Sequence, residues 1–125
     1  MTRKSEVLWK VVTRAGWSFY PRPERRGRVK YDVGRTYRAT REPWDHDYQL
    51  CSGDVLHASR KLFHAIRHGR YASCGPASNA RFTVLRVMGV VRVSDYDKVG
   101  CRRLTVLSAH TVTEAREIAR REGTE

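Results

Sequence analysis

The apolar positions of this chain alternate between two periods, one suited to strands and one to helices. Val7, Leu8, Trp9, Val11 and Val12 form a β-branched and aromatic run, interrupted by Lys10, that predicts a first strand over 7–12. Phe82, Val84, Val87, Val90, Val91 and Val93 give the strongest strand signal, and Gly89 in their midst predicts a bulge or bend. After a turn at Ser94–Tyr96 the chain returns as a strand over Arg102–Ser108, with Leu104 and Val106 on one face. Shorter strands are predicted at 28–31, 35–40 and 48–51, with Val33–Gly34 turning between the first two and a polar loop over 41–47.

The helical period occurs twice. Leu62, Phe63 and Ile66 make an apolar stripe that predicts a helix over Ser59–His68, with Ser59 as its cap and Gly69 as its end. The second helix opens on the capping box Thr111-x-x-Glu114 and runs to Gly123, with Ala115, Ile118 and Ala119 facing inward. Arg120 and Arg121 in its last turn complement the helix dipole. Short connections after Val93 favour antiparallel pairing. The expected fold class is α+β, a single antiparallel sheet of five to six strands with two helices on one face. The organisation expected is one domain over 1–125, containing a basic aromatic loop at 14–28 and a C-terminal helix at 112–122.

Length agrees with one domain, since 125 residues hold one core and not two. No apolar run approaches the roughly 20 residues that span a bilayer, and the run at 7–12 is too short for a signal-peptide core. A cytoplasmic location, without membrane association, is therefore expected. Cys51, Cys74 and Cys101 are an odd set at wide spacing and contain no C-x-x-C pair, so free thiols are expected.

Charge changes the picture most. Lys and Arg total 25 against 13 acids, for a formal net charge of +12 and a sequence pI near 10.4. Over residues 1–41 basic residues outnumber acids by twelve to three. Most are arginine, whose planar fork binds phosphates and stacks on bases. The loop at 14–28 interleaves Trp17, Phe19 and Tyr20 with Arg14, Arg22, Arg25, Arg26 and Arg28, a pattern that suits base stacking beside phosphate contacts. Phe82, with Arg81, Arg86, Arg92, Arg102 and Arg103 on or beside the late strands, repeats the theme; alternation places Arg86 and Arg92 on one face unless Gly89 breaks the register. The bland alternatives are a core Phe82, solvated arginines and loop aromatics tucked under the sheet.

Two histidine features bear on chemistry. His57 follows Asp54 by three residues, so it is a candidate ligand contact or, with Asp54, a candidate acid–base pair; a half-buried histidine bonded to loop backbone is the simpler alternative. His64 and His68 are four apart on one helix, but no third and fourth ligand accompanies them, so no metal and no cofactor are expected. Signatures of helix-turn-helix, zinc-finger, RNA-recognition and phosphate-loop proteins are missing, so nucleic-acid binding would be backbone-driven and salt-sensitive.

Four segments together carry a family resemblance: Tyr31-Asp32-Val33-Gly34-Arg35-Thr36-Tyr37, Leu56-His57-Ala58-Ser59, Arg81-Phe82-Thr83-Val84-Leu85-Arg86-Val87 and Asp97-Lys98-Val99-Gly100-Cys101-Arg102-Arg103-Leu104. In order and spacing they resemble an uncharacterised domain family of phages and bacteria, over roughly residues 28–108. That family has a Y-x-V-G-x-x-Y start, a G-[FL]-H-A-[CS] segment opening a helix, and D-K-[VL] before the last strand. This chain departs from it at Val55, where the family carries glycine. In size and expected architecture it is also similar to phage anti-defence proteins that sequester cyclic nucleotide signals. The resemblance implies a phage protein acting in a bacterial host cell. The resulting expectation is a non-catalytic, homo-oligomeric binder of an anionic nucleotide-type ligand through Arg22, Arg25, Arg26, Arg28, His57, Phe82, Arg86, Arg92 and Arg103. The alternatives are a salt-sensitive DNA- or RNA-binding protein, an enzyme cleaving phosphodiester or glycosidic bonds through His57, and a protein that docks on an acidic host protein.

Overall fold

The structure is a computed structural model that describes residues 3–19, 29–40, 48, 50, 54–72 and 82–125. Its elements are β1 (Ser5–Thr13), β2 (Thr36–Arg38), β3 (Leu56–Ala58), α1 (Leu62–Ala72), β4 (Phe82–Ser94), β5 (Val99–Cys101), β6 (Arg103–His110) and α2 (Val112–Glu122). All strand pairs are antiparallel, and the protein is an α+β fold with two helices on one face of a curled sheet. No helix among the described residues is long and apolar enough to cross a membrane.

β4 is the spine. One edge pairs with β1 from Ser5↔Val90 to Thr13↔Phe82, and the other pairs with β5 and β6. Strand alternation then divides the domain's buried apolar residues into two clusters, one on each face of the sheet. Trp9, Val11, Phe82 and Val84 pack under Leu62, Ala65 and Ile66 of α1 and Ala115 and Ala119 of α2. Leu8, Val12, Leu85 and Val87 point the other way, onto Tyr31, Cys101, Leu104 and Val106.

The sheet curls until it meets itself. β5 pairs with β3, and Ser59, just past β3, exchanges two backbone hydrogen bonds of 2.8 Å with Trp9 of β1. The sequence β1–β4–β5–β3 is thus a closed ring, which removes an exposed edge. β2 extends the sheet beyond β6.

Several local expectations are corrected. Ser59 does not cap α1: its backbone is held in the bridge to Trp9, and its hydroxyl donates to the Asp97 carbonyl. The first amides of α1, Leu62 and Phe63, instead donate to the carbonyl oxygens of Thr124 and Glu125 at 2.8 and 2.7 Å. These acceptors lie over sixty residues away in the chain, beyond the reach of a local capping pattern. Gly69 does not end the helix. It lies inside α1, where it lets the helix approach β1 closely. Phe63 is 59% exposed, so only Leu62 and Ile66 of the predicted stripe face the core.

The strand predicted over Arg102–Ser108 is β6, which starts at Arg103 and runs on to His110, whereas the three-residue strands β3 and β5 carry no strand signal in the sequence. Of the strand predicted at 28–31, Lys30 makes only an isolated bridge to Trp17. At 48–51, Tyr48 and Leu50 belong to no strand, and Gln49 and Cys51 lie outside the described residues. The bulge expected at Gly89 lies to either side of it, between Arg86 and Val87 and between Val91 and Val93. Gly89 itself is a close-approach site, since a Cβ there would sit 2.5 Å from the Arg103 carbonyl oxygen. The second helix is as predicted: both halves of the Thr111–Glu114 capping box are made, and Gly123 closes the helix in the left-handed region.

Candidate functional site

The two helices frame an open groove on the surface. Phe63, Ile66, Arg67 and Arg70 of α1 follow one another at i, i+3, i+4 and i+7, and so share a face. Thr113, Arg116, Glu117 and Arg120 repeat the spacing on α2. With Leu62 and Glu125 these two stripes line an open groove of about 570 Å³. Its floor is apolar, and its walls carry four guanidinium groups together with the carboxylates of Glu117 and Glu125.

The arginines differ in their freedom. Arg67 bonds the Asp97 carboxylate at 3.0 Å and lies 5.6 Å from the centre of the Phe63 ring. Burial would raise the Asp97 carboxyl, but the hydrogen bond from Arg67 and the charges of His68 and Arg67 hold it below the usual range. Arg120 is tied to Glu117 within α2. Among the described residues Arg116 has no acidic partner, and it is exposed on the groove wall. A surface ion pair such as Arg120–Glu117 contributes at most about 1 kcal/mol, so an anion in the groove can compete for that arginine.

The residues predicted as a binding surface are dispersed. Phe82 is 7% exposed and packs edge-on to Phe19 at 5.8 Å, so it belongs to the core. Arg86 lies beneath α2, its guanidinium 4.0 Å from the Trp9 ring centre and paired with Glu122. Its Nη1 is buried without a hydrogen-bond partner. This arginine ties the sheet to α2 and cannot reach a ligand. The alternation argument missed this because the helices cover that face at Arg86 and leave it open beyond. Arg92 is exposed at the β4 bulge, 5.8 Å from the Tyr48 ring, which Arg102 approaches equally from β5–β6. Arg103 is exposed on β6. Arg22, Arg25, Arg26, Arg28, Tyr20 and Arg81 lie outside the described residues. Of the loop aromatics that are described, Phe19 joins the core and Trp17 is partly exposed.

His57 sits on β3 in a cationic setting. Burial, then the charges of Lys10, Lys98 and His68, lower its pKa to about 4, so it is neutral at pH 7 and a weak base. Lys10 donates to the His57 carbonyl at 2.5 Å and lies 5.1 Å from the Tyr31 ring centre; burial lowers its pKa to about 8. Asp54 is buried, and its carbonyl accepts from Arg102 at 2.6 Å. His64 packs between Phe63 and Tyr96, whereas Nε2 of His68 lies 3.4 Å from Asp97, so the two histidines are separately engaged. No group of three His, Cys, Asp or Glu able to hold a metal occurs among the described residues. Cys101 is a buried free thiol; Cys51 and Cys74 lie outside the described residues.

Comparison with protein families, with curated proteins and with solved structures gives no match to this chain.

Proposed function

We propose that this protein is a non-catalytic binder of an anionic nucleotide-type ligand, and that the ligand seats in the α1–α2 groove. The observation that carries this reading is the lining of that groove: Arg67, Arg70, Arg116 and Arg120 surround an apolar floor with an exposed Phe63 ring. A volume of about 570 Å³ suits a small ligand, since such sites run from about 300 to 1,000 Å³. Guanidinium forks suit phosphates, and an exposed ring beside them suits a base. The phage-like segments extend the reading to a protein that sequesters a cyclic nucleotide defence signal inside a bacterial cell.

A thermal-shift panel of cyclic di- and trinucleotides, cyclic ADP-ribose isomers and ordinary mononucleotides tests the proposal. A ligand bound to the native state raises the melting temperature. Arg116→Ala is expected to weaken the responding ligand about tenfold, the loss of one hydrogen bond to a charged group. No shift with any member of the panel, or a shift untouched by Arg116→Ala and Phe63→Ala together, overturns it.

A further inference from the structure

The helices cover only half of the outer face of the sheet. They lie over the rows Trp9–Arg86, Val11–Val84 and Thr13–Phe82. Beyond them no helix among the described residues covers the same face. The register places Val7, Met88, Thr105 and Thr36 in one row across β1, β4, β6 and β2, about 14 Å long at the usual strand spacing. Beside it lie the cross-strand pairs Ser5↔Val90 and Arg38↔Arg103. Val7 and Met88 are 46% and 37% exposed, and both arginines are exposed.

Two features of this patch point to an anion. Arg38 and Arg103 stand directly opposite on neighbouring strands, an arrangement that places two guanidinium groups side by side and is destabilising by itself. No residue of either row is acidic, and among the described residues neither arginine has an acidic partner. Adjacent to them Thr36 and Thr105 join hydroxyls at 2.7 Å, supplying neutral hydrogen-bonding groups at the same level. A second copy of the chain docked two-fold on this face would crowd four arginines together, so self-association is disfavoured there.

We propose that this sheet face binds a single-stranded polynucleotide. Arg38 and Arg103 clamp a phosphate between them, Thr36 and Thr105 contact the sugar–phosphate backbone, and Val7 and Met88 lie under the bases. A four-stranded face is too wide to enter a duplex groove, which admits a helix or a two-stranded ribbon, but it can support splayed bases. Polarizable, unbranched Met88 adapts to any base, so the contact is insensitive to sequence. The site is separate from the α1–α2 groove and does not depend on it.

Fluorescence anisotropy with a labelled oligothymidylate of about a dozen nucleotides, titrated at several salt concentrations, tests the site. Arg38→Ala and Arg103→Ala are each expected to weaken binding about tenfold and to lower the salt slope by about one, while Lys61→Ala leaves both unchanged. Without the oligonucleotide, Arg38→Ala keeps or raises the melting temperature, because it relieves the like-charge pair. Failure of the folded wild-type protein to bind, or wild-type affinity in the double variant, overturns the proposal. Equal binding of an oligoglutamate, or tighter binding of the matching duplex, overturns it as well. Because the nucleotide panel reads Arg116 and the strand titration reads Arg38 and Arg103, either proposal can fail without the other.

Discussion

Gly69→Ala separates helix propensity from packing. In a free helix the change stabilises by about 1 kcal/mol, because glycine is the poorer helix former. Here a Cβ would lie 2.7 Å from Val11 Cγ1, 3.4 Å from Val11 Cβ and 3.5 Å from Phe82 Cζ. Carbon atoms rest about 3.5–4.0 Å apart, so the first contact is about 1 Å too close. Val11 cannot easily yield: it is buried in β1 under the helix, and β-branching restricts its rotamers. Overpacking of this kind costs about 1–3 kcal/mol, which outweighs the propensity gain and leaves a net loss of about 1 kcal/mol. In a Val11→Ala background the obstructing methyls are gone, and the same Gly69→Ala change stabilises by about 1 kcal/mol. Urea denaturation followed by circular dichroism on the four proteins of this cycle measures a coupling of about 2 kcal/mol. Additivity within about 0.5 kcal/mol, or stabilisation in the wild-type background, would refute the close approach of α1 to β1.

Other predictions concern protons and caps. The folded pKa of His57, about 4, lies below the ordinary 6.5, so the unfolded chain holds more protons between these values and stability falls as pH drops through that window. A loss of about 2 kcal/mol between pH 6.5 and 4 is expected in urea melts, and His57→Gln should flatten it; an unchanged profile counts against the burial of this ring. Lys10 is likewise depressed, from 10.5 to about 8, so stability rises with pH just above 8, until Cys101, pushed up from 9.0 to about 11, acts in the opposite sense. Lys10→Met should remove that rise and stabilise the protein at pH 7, and a less stable variant contradicts the assignment of a buried charge. Thr111→Ala, which removes the side-chain acceptor for the Glu114 amide, should lower stability by about 1 kcal/mol in the same assay, and no loss contradicts the cap.

Legibility in the sequence followed the range of the interaction. β1, β4 and α2 were readable because their signals are local: a dense β-branched run, a longer one, and a capping box ending at glycine. β3 is three residues long and exists only through β5 and the bridge to Trp9, so no local pattern announces it. The start of α1 was misplaced because its caps come from Thr124 and Glu125. The site was less legible than the fold. Arginine excess indicates a basic surface, but alternation identifies a face without saying what covers it, so it neither places Arg86 beneath α2 nor decides between the core and ligand readings of Phe82. Arg67, Arg70, Arg116 and Arg120 were not grouped, though each pair stands at helical spacing, because their convergence depends on how α1 and α2 pack. Tyr48 lies 5.8 Å from both Arg92 and Arg102, a meeting of residues over forty positions apart that no local pattern announces.

The proposed function places a nucleotide-type anion in the arginine-walled groove. Titration of isotopically labelled protein with the nucleotide that most raises its melting temperature, observing arginine Nε–Hε correlations by NMR, tests it most directly. Saturable shifts are expected at Arg67, Arg70, Arg116 and Arg120, with Arg86 and Arg103 unmoved. Saturable shifts confined to other arginines, with these four unchanged, would contradict it.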